Sequence, residues 1–337
     1  MGGNAIIQKG FNSVRVDKNI YTEIKQEIEQ ILKDEIFVIS PEFSDKESFG
    51  DVDVIVQHNG SEHITNIYNK FIDTGKIDGF SKNKTIYSLA YRLDKDEYFQ
   101  IDLIFVTEQN LEGTSIYTSF GDMFNLLGRI SKRIGAKLSH KGFEYIVRAN
   151  DKVVGEVILT RDFRKIFEIL GLDYDYFKKG LGNGTQKEMF DFIISSKYFS
   201  MDSFDSEHFT ARNTKRQKNR PGFSAFLDYI KTKEKLKFHI SIATDKDDIL
   251  EFFPEKLDEV QKLKDLAELR EEGSRKFNGK MVQEVLGLEG KKLGEFIIDF
   301  KKIYTLQEIV DLENIEETIK NVKKNQFLKD FNNLKIF

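Results

Sequence analysis

Residues 49–56 read Phe-Gly-Asp-Val-Asp-Val-Ile-Val, two aspartates one residue apart at the head of a β-branched run, directly after a glycine. About fifty residues on, a second apolar run, Tyr98-Phe-Gln-Ile-Asp-Leu-Ile-Phe-Val106, carries Asp102 in its middle. Successive side chains of a strand point to opposite faces, so Asp51 and Asp53 share one face, with Cα atoms roughly 6.6 Å apart. That gap suits carboxylates gripping a pair of Mg²⁺ ions about 3.5–4 Å apart, the arrangement used for in-line phosphoryl transfer. A carboxylate in an apolar strand is costly unless paired or metal-bound, so Asp51, Asp53 and Asp102 are candidate metal ligands and catalytic residues. The competing reading is a turn cap. Other acid-x-acid triplets, Glu27-Ile-Glu29, Asp94-Lys-Asp96 and Asp173-Tyr-Asp175, lie in amphipathic or turn-like surroundings and read as solvated surface. Asp51-Val-Asp53 differs in its preceding Gly, its following apolar run and its partner strand.

The elements that must hold these acids can be read from periodicity. Ile20, Ile24, Ile28, Ile31 and Leu32 predict a helix over 18–33, and Ile36–Ile39 a buried strand. Residues 41–50 read as a polar turn and 52–57 as a second strand. A helix carrying Ile64, Ile67, Tyr68, Phe71 and Ile72 ends near Gly75. Strands 85–93 and 98–106 flank the acidic turn Asp94–Glu97. The order is helix, strand, strand, helix, strand, strand, with acids on the second and fourth strands. Beyond Gly113 come a helix after Ser119, a ribbon from 143–148 and 154–159, then mainly helices: 162–170, 185–195, 223–231, 248–270 and three more. The fold class is therefore α+β, a mixed sheet with helices followed by a mostly helical C-terminal region. Expected domains are 1–112, 113–170 and 171–337.

The chain has 337 residues, enough for two or three domains, with thirty Phe for the core. It has no Cys, which excludes disulfides and thiolate metal sites. No N-terminal stretch resembles a signal peptide and no apolar run approaches eighteen residues, so a soluble cytoplasmic protein with no membrane partner is expected. A net charge of −4 gives no global nucleic-acid signature. Any polyanion contact must be local. Residues 212–220, with Arg212, Lys215, Arg216, Lys218 and Arg220, hold five positive charges and no acid, suited to phosphates or simply to water. Residues 279–297 read as a helical hairpin in which the Gly290 turn, beside Lys291 and Lys292, could hold a phosphate or merely cap helices. The five His show no metal spacing, and Gly180–Gly184 reads as a flexible connection.

Gly50-Asp-Val-Asp53 with a third acid, Asp102, on a following strand resembles the nucleotidyltransferase fold of the DNA polymerase beta superfamily, in its poly(A) polymerase and CCA-adding branch. More narrowly, Met1-Gly-Gly-Asn-Ala5, Gly121-Asp-Met-Phe-Asn125 and Ile158-Leu-Thr-Arg-Asp162 resemble a type found in bacteriophages and large DNA viruses, which would place it in host cytoplasm. The resemblance implies transfer of NMP from an NTP to an RNA 3′ end, in tRNA or a poly(A)-like acceptor. Its cofactor would be two Mg²⁺ ions, with Mn²⁺ an alternative. Asp51 and Asp53 would hold the ion on the β- and γ-phosphates, all three acids the second ion, and Asp102 would orient the acceptor hydroxyl. Such enzymes usually carry Gly-Ser or Gly-Gly about ten residues before the paired acids. Here residues 39–48 contain no Gly, leaving Ser40, Ser44, Lys46 and Gly50 for the nucleotide. Alternatives are a protein- or small-molecule-modifying nucleotidyltransferase and an inactive nucleic-acid-binding relative.

Overall fold

The computed structural model describes residues 4–205, 220–233 and 244–334. It is α+β, with a mixed sheet near the N-terminus and helices dominating later, as the sequence predicts. The strands are β1 (Val16–Asp17), β2 (Phe37–Ile39), β3 (Ser48–Phe49), β4 (Asp51–Gln57), β5 (Ile77–Asn83), β6 (Ile86–Asp94), β7 (Glu97–Val106), β8 (Ala136–Ser139), β9 (Gly142–Ala149) and β10 (Lys152–Thr160). The first helices are α1 (Asn4–Ile7), α2 (Lys18–Ile31), α3 (Ser61–Ile72), α4 (Glu108–Thr118), α5 (Met123–Ser131), α6 (Phe163–Leu170), α7 (Tyr174–Lys178) and α8 (Gln186–Ile194).

Five strands form the main sheet in the order β2-β4-β7-β6-β5. Only β4 and β7 run parallel. Parallel neighbours need a long crossover, and α3 with the β5–β6 hairpin supplies it. Alternation then sorts the faces. Val52, Val54 and Val56 of β4 and Ile101, Leu103 and Phe105 of β7 turn to one side. There they pack with Tyr21, Ile24 and Ile28 of α2 and Ile67 and Phe71 of α3. The helix α2 starts at Asp17, whose carboxylate accepts the N–H groups of Asn19 and Ile20. The acids of β4 and β7 take the other side.

Several elements escaped the sequence reading, among them β8 and α7, and two more show why. Strand β5 is an edge strand, largely polar and only partly buried, so its alternation is faint. Gly79 within it lets the Phe11 ring lie against the backbone, since a Cβ there would sit 2.4 Å from a ring carbon. Helix α4 is rich in polar residues and lacks an apolar stripe. It is held by close approach: a Cβ on Gly113 would lie 2.2 Å from the His140 carbonyl oxygen. A third correction concerns 248–270, where Phe253-Pro254 interrupts the pattern. A 3₁₀ turn covers Asp248–Phe252, another Pro254–Lys256, and the helix runs Leu257–Lys276.

Two compact units divide the chain, at boundaries other than 112 and 170: Met1–Tyr145 with Ile158–Pro254, and Ile146–Val157 with Glu255–Phe337. The second unit has its own core, in which Phe277 stacks on Phe300 at 4.2 Å beside Val282, Phe296, Ile309 and Ile319. No described helix is long and apolar enough to cross a membrane.

Two glycine substitutions test this packing. Gly113→Ala should destabilise by about 1–3 kcal/mol, because the new methyl meets a backbone carbonyl. Gly128 of α5 has open space where a Cβ would go. Gly128→Ala should therefore stabilise by about 0.5–1 kcal/mol. Thermal unfolding of both variants reads the two signs.

Candidate active site

Parallel pairing of β4 with β7 sets Asp53 directly beside Asp102 and Asp51 beside Gln100. On the other flank of β7, antiparallel β6 sets Ser88 beside Asp102. Asp51, Asp53 and Asp102 thus occupy one face of two neighbouring strands, as alternation in each strand requires. All three residues are half-buried.

Burial makes the charged forms costly. It raises Asp53 above the usual carboxylate range to about 8, and the neighbouring charges of Asp102 and Asp51 push in the same direction. Burial lifts Asp102 to about 6 against hydrogen bonds from Ser88 and Gln100 that favour its anion. Burial also raises Asp51, with Lys46 and Arg15 pulling the other way.

Gln100, itself buried, joins the site to the start of the chain. Its Nε2 donates to Asp102 Oδ2 at 2.8 Å, and its Oε1 accepts the N–H groups of Ala5 at 3.0 Å and Ile6 at 3.3 Å. One carboxylate oxygen of Asp102 is thereby oriented. The other, Oδ1, is buried and has no hydrogen-bond partner. A bare buried carboxylate oxygen beside two more acids fits an oxygen-loving divalent cation such as Mg²⁺. Among the described residues no three His, Cys, Asp or Glu side chains are placed so that all could hold one metal ion as they stand.

The predicted nucleotide-binding residues divide. Lys46 remains next to the acids, since its charge lowers both Asp51 and Asp53. It ion-pairs with Glu42 at 2.7 Å and lies 4.9 Å over the Phe49 ring. With Arg15, Phe43, Ser48 and Asp122 it lines a cavity of about 550 Å³. Ser40 is different: its buried hydroxyl donates to Thr118 Oγ1 at 2.7 Å and its N–H to the Asp53 carbonyl at 3.0 Å. It braces the strand ends, and that hydroxyl is not open to a phosphate. Ser44 is exposed, its N–H bonded to the Gly184 carbonyl at 2.9 Å and its carbonyl to Lys18 Nζ at 2.9 Å. The Gly180–Gly184 connection is therefore tied to the 41–48 segment, and Asp45 reinforces the tie by accepting the Gln186 N–H at 3.1 Å. Gly50 is buried ahead of β4.

The predicted phosphate-binding cations divide as well. Lys215, Arg216 and Lys218 fall outside the described residues. Arg220 is ion-paired with Asp122. Lys291 is highly exposed and 3.6 Å from Glu295, one turn along its own helix. Lys292 is also exposed. Glu289 occupies the N-cap of that helix, placing an acid where a phosphate would approach. The sequence reading missed Gln100, Ser88 and Arg15. A polar Gln two residues before Asp102, on the same strand face, was a usable signal for the first. Ser88 depends on register alone.

No protein-family model matches the chain, and no curated protein matches it.

The raised carboxylates fix a sign for pH dependence. From about pH 4 the unfolded chain has lost protons that folded Asp102 still holds up to about pH 6 and folded Asp53 up to about pH 8, so the folded state binds more protons and loses stability as pH rises. In chelator-treated protein, the contribution of these groups should lower the melting temperature from pH 5 to pH 8. Asp53→Asn should flatten that decline, measured as the difference between wild type and variant at each pH.

Proposed function

We propose that the chain is a Mg²⁺-dependent nucleotidyltransferase that moves a nucleoside monophosphate from an NTP to an RNA 3′ end without a template. The observation that carries this reading is the side-by-side placement of Asp53 and Asp102, with Asp51 on the same face and Asp102 Oδ1 bare. Mn²⁺ is an alternative ion.

In this reading Asp51, Asp53 and Asp102 would hold Mg²⁺, which when bound would neutralise charge on the triphosphate and lower the pKa of the acceptor hydroxyl. Lys46 and Arg15 add positive charge beside the acids for the polyphosphate. Gln100 and Ser88 hold Asp102 in one orientation. Asp102 would also orient the acceptor 3′ hydroxyl, whose proton passes to solvent as its oxygen bonds to the α-phosphorus. The bond from that phosphorus to the bridging oxygen breaks, and pyrophosphate leaves. Positioning and charge compensation account for most of the acceleration, as in other phosphoryl transfers. Ser40, engaged with Thr118, acts by supporting the strand ends.

Incubation of the purified chain with each radiolabelled NTP, Mg²⁺ and mixed tRNA tests the reading, with labelled RNA the expected product. Labelled protein or metabolite instead would move the chemistry to a different acceptor, and no label under any condition would remove it. Asp51→Asn or Asp102→Asn should cut transfer more than about a hundredfold, or about 2.7 kcal/mol of barrier. Activity within about tenfold of wild type in either variant would rule out the three-carboxylate assignment. Gln100→Leu should cost about 10–100-fold and raise the Mg²⁺ concentration needed for half-maximal rate.

A further inference from the structure

The second unit contains a groove that none of the predicted sites includes. Its cavity of about 460 Å³ lies within the range of ligand pockets. Lys152, Arg270 and Lys301 line it together with Ser274, Tyr304 and Thr305, and no acidic residue does. This concentration of one charge contrasts with the helices around it, where Lys and Glu alternate. Lys152, Arg270 and Lys301 are all exposed. Two acids bond to lining residues and are occupied in doing so: Glu308 Oε2 accepts the Thr305 N–H at 2.7 Å and its hydroxyl at 2.8 Å, and Glu271 Oε1 accepts the Asn150 N–H at 3.0 Å.

The walls are held by packing and hydrogen bonds. Asn150 and Asp151 have φ of 46° and 63°, the left-handed pair that a tight two-residue hairpin demands, and Lys152 follows directly. The Asn150–Glu271 bond fastens this hairpin tip to the helix Leu257–Lys276. Gly155 lets the same ribbon lie close on that helix, because a Cβ there would sit 2.7 Å from a Leu263 methyl. On the opposite wall Gly273 makes room for Leu306, and Lys276 Nζ donates to the Val310 and Leu312 carbonyls. Lys301 and Tyr304 come from the end of the helix Gly290–Ile303, where Tyr304 packs 4.9 Å from Phe300.

We infer that this groove binds a stretch of single-stranded nucleic acid, with Lys152, Arg270 and Lys301 on the phosphates and Tyr304 against a base. A basic track with an aromatic wall is the recognition chemistry of single strands, and it tolerates any sequence because every base has a stacking face. An acidic peptide would use the three cations and leave Tyr304 without a counterpart. The inference draws on the nucleotide-transfer reading only in choosing RNA as the polymer.

The test is fluorescence anisotropy of a labelled single-stranded RNA 15-mer with the full chain, without Mg²⁺ or NTP, so that the outcome does not depend on transfer activity. The triple variant Lys152→Gln, Arg270→Gln, Lys301→Gln should bind at least tenfold more weakly, and its salt slope should be shallower by about two, at about 0.7 per phosphate released. Tyr304→Leu should weaken binding about fivefold or more while leaving the salt slope unchanged. Circular dichroism and melting curves matching the wild type establish that the variants are folded. Wild-type RNA affinity in a folded triple variant would overturn the inference. So would polyglutamate binding as tight as RNA binding and lost in the same variant.

Discussion

Three carboxylates on one face of two adjacent strands repel one another and resist leaving water. The sheet forces that proximity because β4 and β7 are parallel and in register at Asp53 and Asp102. Much of the surrounding structure answers the resulting charge. Valines and isoleucines on the reverse face, buried under α2 and α3, anchor the two strands so that the repulsion cannot part them. Lys46 and Arg15 offset Asp51 from one side, while Ser88 and Gln100 hydrogen-bond Asp102 from the other. The offset is incomplete, since Asp53 and Asp102 both remain well above the ordinary carboxylate range. A setting that makes these carboxyls hold their protons this tightly would also favour a cation in the protons' place, which the proposed phosphoryl transfer would use.

The amino-acid sequence exposes some of this arrangement and hides the rest for physical reasons. Strand alternation is local, so the shared face of Asp51 and Asp53 and the apolar runs of β4 and β7 are visible in a few residues. Parallel register is not local: nothing in 51–57 or 97–106 alone says that Asp53 pairs with Asp102 and not with Gln100. The α4 helix and the β5 edge are hidden because close glycine contacts at 113 and 79 hold them, and apolar periodicity contributes little. The engagement of Ser40 is hidden for a related reason. Its hydroxyl finds Thr118, seventy-eight residues away, a partner that only folding brings near. The basic runs show the limits of charge counting, since Arg220 faces Asp122 and Lys291 faces Glu295.

The groove in the second unit illustrates the complementary point. Lys152, Arg270 and Lys301 are scattered through the sequence, each with acids nearby, and no window of residues marks them. They meet because a hairpin tip, a long helix and a helix end converge. A run of basic residues is conspicuous in a sequence and frequently solvated, whereas convergence from three elements leaves no linear trace. For a chain with a net charge of −4, such local convergence is the means by which a polyanion can still be held.

Gln100 reaches back ninety-five residues to the Ala5 amide, and this has a consequence for biogenesis. At about 5–20 residues per second, a ribosome releases the first turn roughly 5–20 s before the strand that receives it. Until β7 has emerged and paired, the opening helix lacks this polar tie and Asp102 lacks its Gln100 hydrogen bond. The three acids therefore come together only once β7 has been made, after α2, β4 and α3, and the same strand completes the core beneath those helices.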